Sequence, residues 1–287
     1  MHIPRPIDDN PIYAGLRDTE SWLSDLYDGR LNGLVLYGPP GIGKTHLATD
    51  IAAKRGIGVC APRPGTARGL LDVLFEHADA EVIMFDDFDS IWNDEAAINT
   101  LKIAIDSREP RILSHTVTSE KFSIPPFRIT ARILFLSNRN FDNPRQFKKS
   151  IWESGVLPIK NRCACIGVPF DPLSAYEYVG WLCTAGRMLD RIHFDYPLGE
   201  PMPTKSGDTV IAHQGNRRRL MSRIEKNEVL EHFARNAHRY PAISPRDLYR
   251  FAQQRIGKDR NLWERQIDRL LIGRHDLPER LHVYQIG

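Results

Sequence analysis

Long apolar runs and paired cysteines are what this sequence lacks. Within its 287 residues no apolar stretch reaches the roughly 18–20 residues that a helix needs to cross a bilayer. We therefore expect no contact with a membrane. The N-terminal segment also has no apolar core of the kind that secretory signals carry. These two absences lead us to expect a cytoplasmic protein.

The cysteines are too few and too scattered to indicate a metal site or a disulfide framework. No two of them form the CxxC pair that is usual in zinc sites, since they stand at Cys60, Cys163, Cys165 and Cys183. We expect reduced thiols. The net charge of +3 excludes nothing by itself, whereas an apolar fraction of 41% and a charged fraction of 26% are typical of a globular protein.

Five short apolar runs predict buried strands, and helical patterns lie between them. Strands are expected at 34–37, 57–60, 82–85, 133–136 and 165–168, and helices at about 19–30, 44–56, 70–77 and 96–106. Thr19 is expected to cap the first of these helices. Apolar strands that alternate with helices are typical of a parallel sheet covered by helices on both faces, which is the α/β class.

The strongest motif is a glycine-rich loop that lies between a predicted strand and a predicted helix. It matches G-x-x-x-x-G-K-[ST] at every fixed position. Its glycines let backbone N–H groups point at phosphate oxygens, and the following helix adds its positive end. We expect nucleotide phosphates to be bound by Gly38, Pro39, Pro40, Gly41, Ile42, Gly43, Lys44, Thr45 and His46.

Within this loop, two side chains have distinct expected tasks. Lys44 supplies a positive charge for the β- and γ-phosphates, and Thr45 supplies a hydroxyl for Mg²⁺. The alternative is a chance glycine-rich turn, but the strand before it and the helix after it are the context that confirms the motif.

Two carboxylates follow the third apolar run. Asp86 is expected to hold Mg²⁺ through water, and Asp87 to polarise the water that attacks the γ-phosphate. The alternative is that both are surface aspartates at the start of the next helix. Asp89 and Ser90 are expected to cap that helix.

An amide follows the fourth apolar run. Asn138 stands directly after Ser137 at the predicted end of that strand, where its side chain is suited to hydrogen-bond the attacking water or the γ-phosphate. Asn in this place is also a common turn residue, which is the alternative interpretation.

Taken in order, these features resemble the AAA+ ATPases over roughly residues 10–255. The order is a phosphate loop, a carboxylate strand, a strand-terminal Asn, an arginine before another strand, and a helical domain. The resemblance implies hydrolysis of ATP with Mg²⁺ by a homo-oligomer, either a ring or a spiral. It also implies a P-loop α/β domain over 1–170 and a smaller α-helical lid domain over 171–287. The lid contains an insertion at about 187–222 that no pattern assigns.

Two arginines acquire expected roles from this resemblance alone. The stretch 159–166 with 170–173 resembles the Ser-Arg-Cys region of clamp loaders, which implies that Arg162 is an arginine finger reaching a neighbouring subunit. The stretch 244–248 resembles the second sensor, which implies that Arg246 touches the γ-phosphate. The alternatives are a surface ion pair for Arg162 and a solvated helix start for Arg246.

Several further resemblances and departures refine the expectation. Residues 45–48 resemble helicase loaders, and a hairpin-like excursion over 111–131 resembles viral and phage members of the family. The family usually has Glu where this chain has Asp87, so we expect slow turnover. Residues 61–80 contain no aromatic-hydrophobic-glycine pore loop, which argues against a protein unfoldase.

Basic residues cluster late in the chain and suggest a partner. They are Arg217, Arg218, Arg219, Arg223, Lys226, Arg255, Lys258, Arg260 and Arg265. Such clusters neutralise nucleic-acid phosphates, although a solvated helix face is the alternative. Three hypotheses stay open. The first is an ATP-driven loader or remodeller of a nucleic-acid machine, which acts with DNA or RNA and with a replication or packaging protein. The second is a remodeller of protein complexes outside nucleic-acid metabolism, and the third is a monomeric metabolic kinase.

Overall fold

The computed structural model describes residues 2–64, 66–114, 124–197, 209–213 and 216–287. They form two compact units. One unit is Gly15–Pro169, and the other combines Met1–Ala14 with Phe170–Gly287. The first 14 residues therefore group with the C-terminal region, whereas the predicted first domain includes them.

A parallel sheet forms the centre of the unit Gly15–Pro169. Strands β1 to β7 are Gly33–Tyr37, Val59–Cys60, Val82–Asp86, Ile112–Leu113, Phe127–Arg128, Arg132–Ser137 and Ala164–Gly167. Five of them form one sheet in the order β2-β3-β6-β1-β7, with every neighbouring pair parallel. The predicted α/β fold class is confirmed, and each predicted strand has a counterpart in this sheet.

The two short strands outside this sheet pair with each other. β4 and β5 are antiparallel, with Ile112 opposite Arg128. They are the two ends of the predicted hairpin-like excursion, and residues 115–123 of that excursion lie outside the described part of the chain.

Six helices accompany the strands up to residue 160. Helices α1 to α6 are Pro11–Tyr27, Lys44–Arg55, Ala67–Glu76, Glu95–Ala104, Lys149–Ile151 and Leu157–Lys160, and a π-helical turn at Trp152–Val156 joins the last two. The positions predicted for the second, third and fourth helices agree with the structure to within a few residues.

The start predicted for the first helix is wrong. The side chain of Asn10 accepts hydrogen bonds from the backbone N–H groups of Ile12 (3.0 Å) and Tyr13 (3.3 Å), so the helix begins at Pro11. Thr19 is buried within the helix, and its hydroxyl donates to the carbonyl oxygen of Gly15 at 2.7 Å. A threonine can cap a helix or can donate to a carbonyl oxygen of the preceding turn within a helix. The sequence alone does not distinguish these two cases.

Register in the large sheet determines which side chains meet at its edge. Tyr37 at the end of β1 lies beside Ser137 at the end of β6, and Asp86 at the end of β3 lies beside Leu136. All five residues of β1 and the first four of β3 are buried, which explains the continuous apolar runs. The carboxyl ends of three neighbouring strands therefore lie side by side.

The second unit is mainly helical, as predicted for the C-terminal region. Its helices α7 to α10 are Pro172–Cys183, Arg223–Asn236, Pro245–Arg255 and Arg260–Asp268. The unassigned insertion contains an antiparallel sheet of β8 (His193–Pro197), β9 (Val210–His213) and β10 (Asn216–Leu220), in the order β8-β10-β9. Residues 198–208 and 214–215 of the insertion lie outside the described residues.

A buried ionic cluster centres on Glu225 in this unit. The guanidinium of Arg219 donates to Glu225 at 3.1 Å, and that of Arg255 donates to Glu225 at 3.5 Å and to Glu228 at 2.8 Å. Arg219, Arg255 and Glu225 are all at most 6% exposed. Glu225 also accepts from the backbone N–H of Ser222, completing a capping box at the start of α8.

Three other members of the predicted basic cluster also have acidic partners within the unit. Arg218 pairs with Asp195 at 2.9 Å, Lys226 with Asp190 at 2.7 Å, and Arg260 with Glu231 and Glu264, each at 2.9 Å. Together with Arg219 and Arg255, five of the nine basic residues therefore have acidic partners within the unit.

Replacing Glu225 by Ala should strongly destabilise the chain. The change leaves two buried guanidinium groups without their shared carboxylate, and breaking a buried pair costs about 3–5 kcal/mol. The measurement is the free energy of unfolding from urea titration. The control is Glu231→Ala, whose side chain is 43% exposed and whose loss should cost about 1 kcal/mol or less. Equal losses in the two variants would contradict the account.

Candidate functional site

The glycine-rich loop joins β1 to α2 and leaves an open space at the helix start. Gly41 has φ +79° and Gly43 has φ +105°, both in the left-handed region that favours glycine. A Cβ built on Gly43 meets no atom within 4 Å. Ile42 is buried and anchors the loop, whereas His46 is exposed on the first turn of α2. The loop therefore presents its backbone and the positive end of α2 to this space.

Lys44 holds its ammonium group inside the curve of the loop. Its Nζ donates to the carbonyl oxygens of Gly38 (2.7 Å) and Pro39 (2.9 Å) and to Oδ1 of Asn138 (3.1 Å). The side chain is 6% exposed. A buried ammonium group that neutral oxygens hold inside the loop is suited to receive an anion, and phosphate oxygens are the anions that this loop fits.

Thr45 and Asp86 are in direct contact. The Thr45 hydroxyl donates to Oδ2 of Asp86 at 2.9 Å, although the two residues are 41 positions apart. Hydroxyl and carboxylate oxygens are ligands that Mg²⁺ prefers, and Mg²⁺ commonly uses one or two protein oxygens together with phosphates and water. The residues present therefore fit a magnesium ion, with Thr45 and Asp86 as its holders.

Asn138 bridges the lysine and the second carboxylate. Its Oδ1 accepts from Lys44, and its Nδ2 donates to Oδ1 of Asp87 at 3.2 Å. The negative end of the amide dipole thus faces the cation and the positive end faces the anion. Asp87 has φ +56°, a conformation uncommon for a residue other than glycine and concentrated at functional sites.

Strand order explains why these five side chains meet. β6 lies between β1 and β3, so the residue after β6 is flanked by the loop after β1 on one side and by the carboxylates after β3 on the other. Parallel sheets place their binding sites at this edge. The structure therefore brings together Lys44, Thr45, Asp86, Asp87 and Asn138.

Arg162 lies at the opposite edge of the sheet. It precedes β7, the parallel neighbour of β1, whose first residue lies beside Leu34. The Arg162 guanidinium donates to Oδ2 of Asp106 at 3.3 Å and to the carbonyl of Pro158 at 3.1 Å. Bonds from the Arg108 backbone N–H and from Arg162 lower the pKa of Asp106. Within this single chain, Arg162 makes the surface ion pair that the sequence left open, and its role in a neighbouring subunit stays a prediction.

Arg246 belongs to the second unit. It is exposed at the second position of α9, where Ser244 caps the helix by accepting from the backbone N–H of Asp247 at 3.2 Å. Its predicted contact with the γ-phosphate also stays a prediction.

A polar group under the loop was not predicted. The Tyr37 hydroxyl donates to Asp142, and Lys160 Nζ donates to the same carboxylate at 2.7 Å. Burial and the neighbouring Asp142 raise the pKa of Tyr37, and the bonds from Lys160 and Tyr37 lower the pKa of Asp142. These contacts tie the last residue of β1 to the segment after β6, and no local motif signals them.

The expected capping role of Asp89 is wrong. The cap of α4 is Asp94, whose side chain accepts from the backbone N–H of Ala97 at 3.0 Å. Asp89 instead accepts from the Ser137 hydroxyl and from the backbone N–H of Asn138. A short 3-10 helix at Asp89–Asn93 separates β3 from α4, and the sequence does not reveal this extra turn.

Comparison with known proteins gives a family match and distant structural likenesses. The model of the family described as "ATPase family associated with various cellular activities (AAA)" matches residues 34–136. No curated protein matches. Among solved structures, the replication initiator DnaA bound to AMPPCP and single-stranded DNA has 18% identity and a TM-score of 0.30, covering 58% of this chain and 48% of its own.

A second solved structure extends over more of the chain. The Thermotoga maritima RuvB Holliday junction branch migration motor has 14% identity and a TM-score of 0.39, covering 84% of this chain and 60% of its own. This chain thus spans about half to three fifths of the lengths of the two solved structures. Likenesses this distant carry no statement about activity or partners.

The fold and the site together define a class of protein. A glycine-rich loop between β1 and α2, with carboxylates and an asparagine on the neighbouring strand ends, defines the class of P-loop nucleotide-binding proteins. The family match covers the loop, α2 and both aspartates, and it ends two residues before Asn138. Residues 34–136 thus match the AAA family model, and the sheet with its loop has the P-loop NTPase fold.

Gly43→Ala should abolish nucleotide binding. It should also lower the free energy of unfolding, and a matched control variant should lower it by a similar amount. The added methyl group occupies the space in front of α2, and a left-handed conformation costs an L-residue about 1–2 kcal/mol. The control is Gly56→Ala at the other end of α2, where φ is +68° and a Cβ also meets nothing within 4 Å.

The measurements are the free energy of unfolding and the Kd for ADP. Both variants should lose similar stability, and only Gly43→Ala should lose ADP affinity. Unchanged ADP binding by Gly43→Ala would contradict the placement of the phosphates.

Proposed function

We propose that this chain hydrolyses ATP to ADP and phosphate in the presence of Mg²⁺. The observation that supports this most is the continuous polar path from Lys44 through Asn138 to Asp87, with Thr45 and Asp86 alongside. A binding protein needs the lysine and the loop. A carboxylate and an amide aimed at the same space are the additional groups that position a water molecule.

Each residue has a task in this proposal. Lys44 binds the β- and γ-phosphates, and Mg²⁺, held by Thr45 and Asp86, would neutralise charge on them. Asp87 accepts a proton from the attacking water, and Asn138 orients that water or the γ-phosphate. Because the Asn138 amide bonds both Lys44 and Asp87, phosphate that draws the lysine away also alters the contact to the base.

We also propose slow turnover. Asp87 is one methylene shorter than the Glu that is usual in the family, so its carboxylate is set back from the γ-phosphate. Its oxygen is also engaged by Asn138 at 3.2 Å. Slow turnover suits a switch that changes state once for each ATP. We propose that the protein acts in the cytoplasm and does not bind a membrane.

The site is proposed to be completed by a second copy of the chain. Arg162 precedes β7 and so lies at the edge of the sheet away from its own loop. It therefore does not serve the phosphates of its own chain, whereas a ring or spiral would bring it to a neighbour. In the same assembly Arg246 is proposed to contact the γ-phosphate from the helical lid.

Mixing two inactive variants should restore hydrolysis. Arg162→Ala lacks the group donated to the neighbour, and Lys44→Ala lacks its own phosphate contact, so mixed assemblies contain some complete sites. Loss of an arginine finger costs on the order of 10³–10⁵ in rate in related enzymes. The measurement is phosphate release across mixing ratios, with Arg108→Ala as a control for loss of one exposed arginine near Asp106. Absence of rescue in intact assemblies would contradict the role of Arg162.

The proposed client is a nucleic-acid-associated machine of the replication, loading or packaging type. Since five of the nine residues in the predicted basic cluster have acidic partners, we place the contact on another surface. A groove of about 660 Å³ in the second unit is lined by four basic residues, three without charge and one aspartate, namely His238, Arg239, Leu271, Ile272, Gly273, Arg274, His275 and Asp276. Two guanidinium groups and two imidazoles along one groove suit a phosphodiester backbone. Arg239 lies 3.7 Å from Asp268, a longer contact than the pairs of Arg218, Lys226 and Arg260.

Arg239→Ala combined with Arg274→Ala should weaken binding of single-stranded DNA and reduce its salt dependence. Each phosphate contact contributes about −0.7 to the slope of log K against log[salt] for single strands, so the slope should fall in magnitude by about 1.4. The measurement is fluorescence anisotropy with a labelled oligonucleotide at several salt concentrations.

The matched control removes two arginines that share an acidic partner. Arg235 and Arg260 both pair with Glu264, at 2.7 Å and 2.9 Å, so their double replacement should leave the slope unchanged. Binding that is absent, or equally affected in both double variants, would favour the second hypothesis, a remodeller of protein complexes. The second hypothesis stays open because five of the nine residues in the basic cluster have acidic partners within the unit.

A further inference from the structure

Asp89 uses both of its carboxylate oxygens on the end of β6. Oδ1 accepts from the hydroxyl of Ser137, and Oδ2 accepts from the backbone N–H of Asn138 at 3.0 Å. Ser137 is 1% exposed, so its bond to Asp89 is shielded from water. Hydrogen bonds to an ionised carboxylate are among the stronger ones in proteins.

The same contact extends to the next residue. The hydroxyl of Ser137 also accepts from the backbone N–H of Arg139 at 3.1 Å. One carboxylate thus fixes the turn formed by Ser137, Asn138 and Arg139, directly through two bonds and indirectly through the third. The main chain on both sides of the Asn138 side chain is held in place.

Asp87 and Asp89 hold the same asparagine in two different ways. Asp87 accepts from the side-chain Nδ2 of Asn138, and Asp89 accepts from its main-chain N–H. Asn138 is otherwise exposed, and an exposed side chain on an unrestrained turn samples several rotamers. With the main chain fixed, the amide is directed between Lys44 and Asp87.

We propose that Asp89 is a positioning residue for ATP hydrolysis, acting through Asn138. The proposal rests on the proposed function, since it concerns the amide that orients the attacking water or the γ-phosphate. The hydrogen bonds of Asp89 described above go to Ser137 and to the main chain of Asn138. A carboxylate is required because it accepts with two oxygens, whereas an amide accepts with one.

The first test examines the hydrogen bond from the Asn138 backbone N–H to Asp89 and does not depend on ATP hydrolysis. Hydrogen exchange of the Asn138 backbone N–H, followed by NMR, should be at least about tenfold faster in Asp89→Ala than in the original chain, because the N–H loses its acceptor. The control is Asp94→Ala, which removes the neighbouring acidic cap of α4 and leaves Asn138 untouched. Equal exchange rates in Asp89→Ala and the original chain would overturn the proposal.

The second test is a double-mutant cycle on kcat. Displacement of a positioned group costs on the order of 10²-fold, so Asp89→Ala should lower kcat by about that factor with little change in the Kd for ADP. In an Asn138→Ala background the same change should have no further effect, because the group that Asp89 positions is gone. Asp89→Asn, which retains one acceptor, should lie between, and Asp94→Ala should keep the original kcat.

The outcomes separate this proposal from the proposed function. An equal fall in kcat on removing Asp89 in both backgrounds would overturn positioning through Asn138 and leave ATP hydrolysis intact. A chain without any ATPase activity would refute the proposed function and with it the catalytic part of this proposal. The hydrogen-exchange rate of the Asn138 backbone N–H would then still show whether Asp89 holds that group.

Discussion

The bond between Lys44 and Asn138 is the contact on which the rest of this site depends. It joins the loop after β1 to the turn after β6 at 3.1 Å, across 94 residues of sequence. A buried ammonium group without nearby oxygens would be costly, so the loop carbonyls and this amide stabilise the lysine where phosphates are expected. Through the other end of the same amide, the contact extends to Asp87. The sheet order β3-β6-β1 is what makes such a path available.

Much of this arrangement could be predicted from the sequence because the signals are local. The apolar runs predicted all five strands of the parallel sheet, and the spacing of Gly38, Gly43 and Lys44 predicted the loop. Asp86, Asp87 and Asn138 were predicted to lie close together because they stand where two apolar runs end, and parallel strands end at one edge. The α/β class and the helical C-terminal region follow from the same patterns.

What could not be predicted depends on distant contacts. In the sequence, Asp89 looks like a helix cap. In the structure a 3-10 helix follows β3, so α4 begins later and Asp94 caps it. Arg219 and Arg255 look like a phosphate-binding surface in the sequence, but they are buried against Glu225, which is close to Arg219 in sequence and 30 residues from Arg255. Charge runs indicate how many cations are present, and only the fold shows which of them have acidic partners. The antiparallel sheet in the insertion likewise had no clear local pattern.

The measurement that tests the central claim most directly is the Kd of a fluorescent ATP analogue with Mg²⁺. The original chain should bind saturably, and Lys44→Ala should bind at least about tenfold more weakly, since a hydrogen bond to a charged group is worth about 1.5–3 kcal/mol. Lys54→Ala is the matched control, because that lysine lies on the same helix and is exposed beside Asp50. It should bind as the original chain does. Equal affinity in the two lysine variants would contradict the assignment of this strand edge as a nucleotide site.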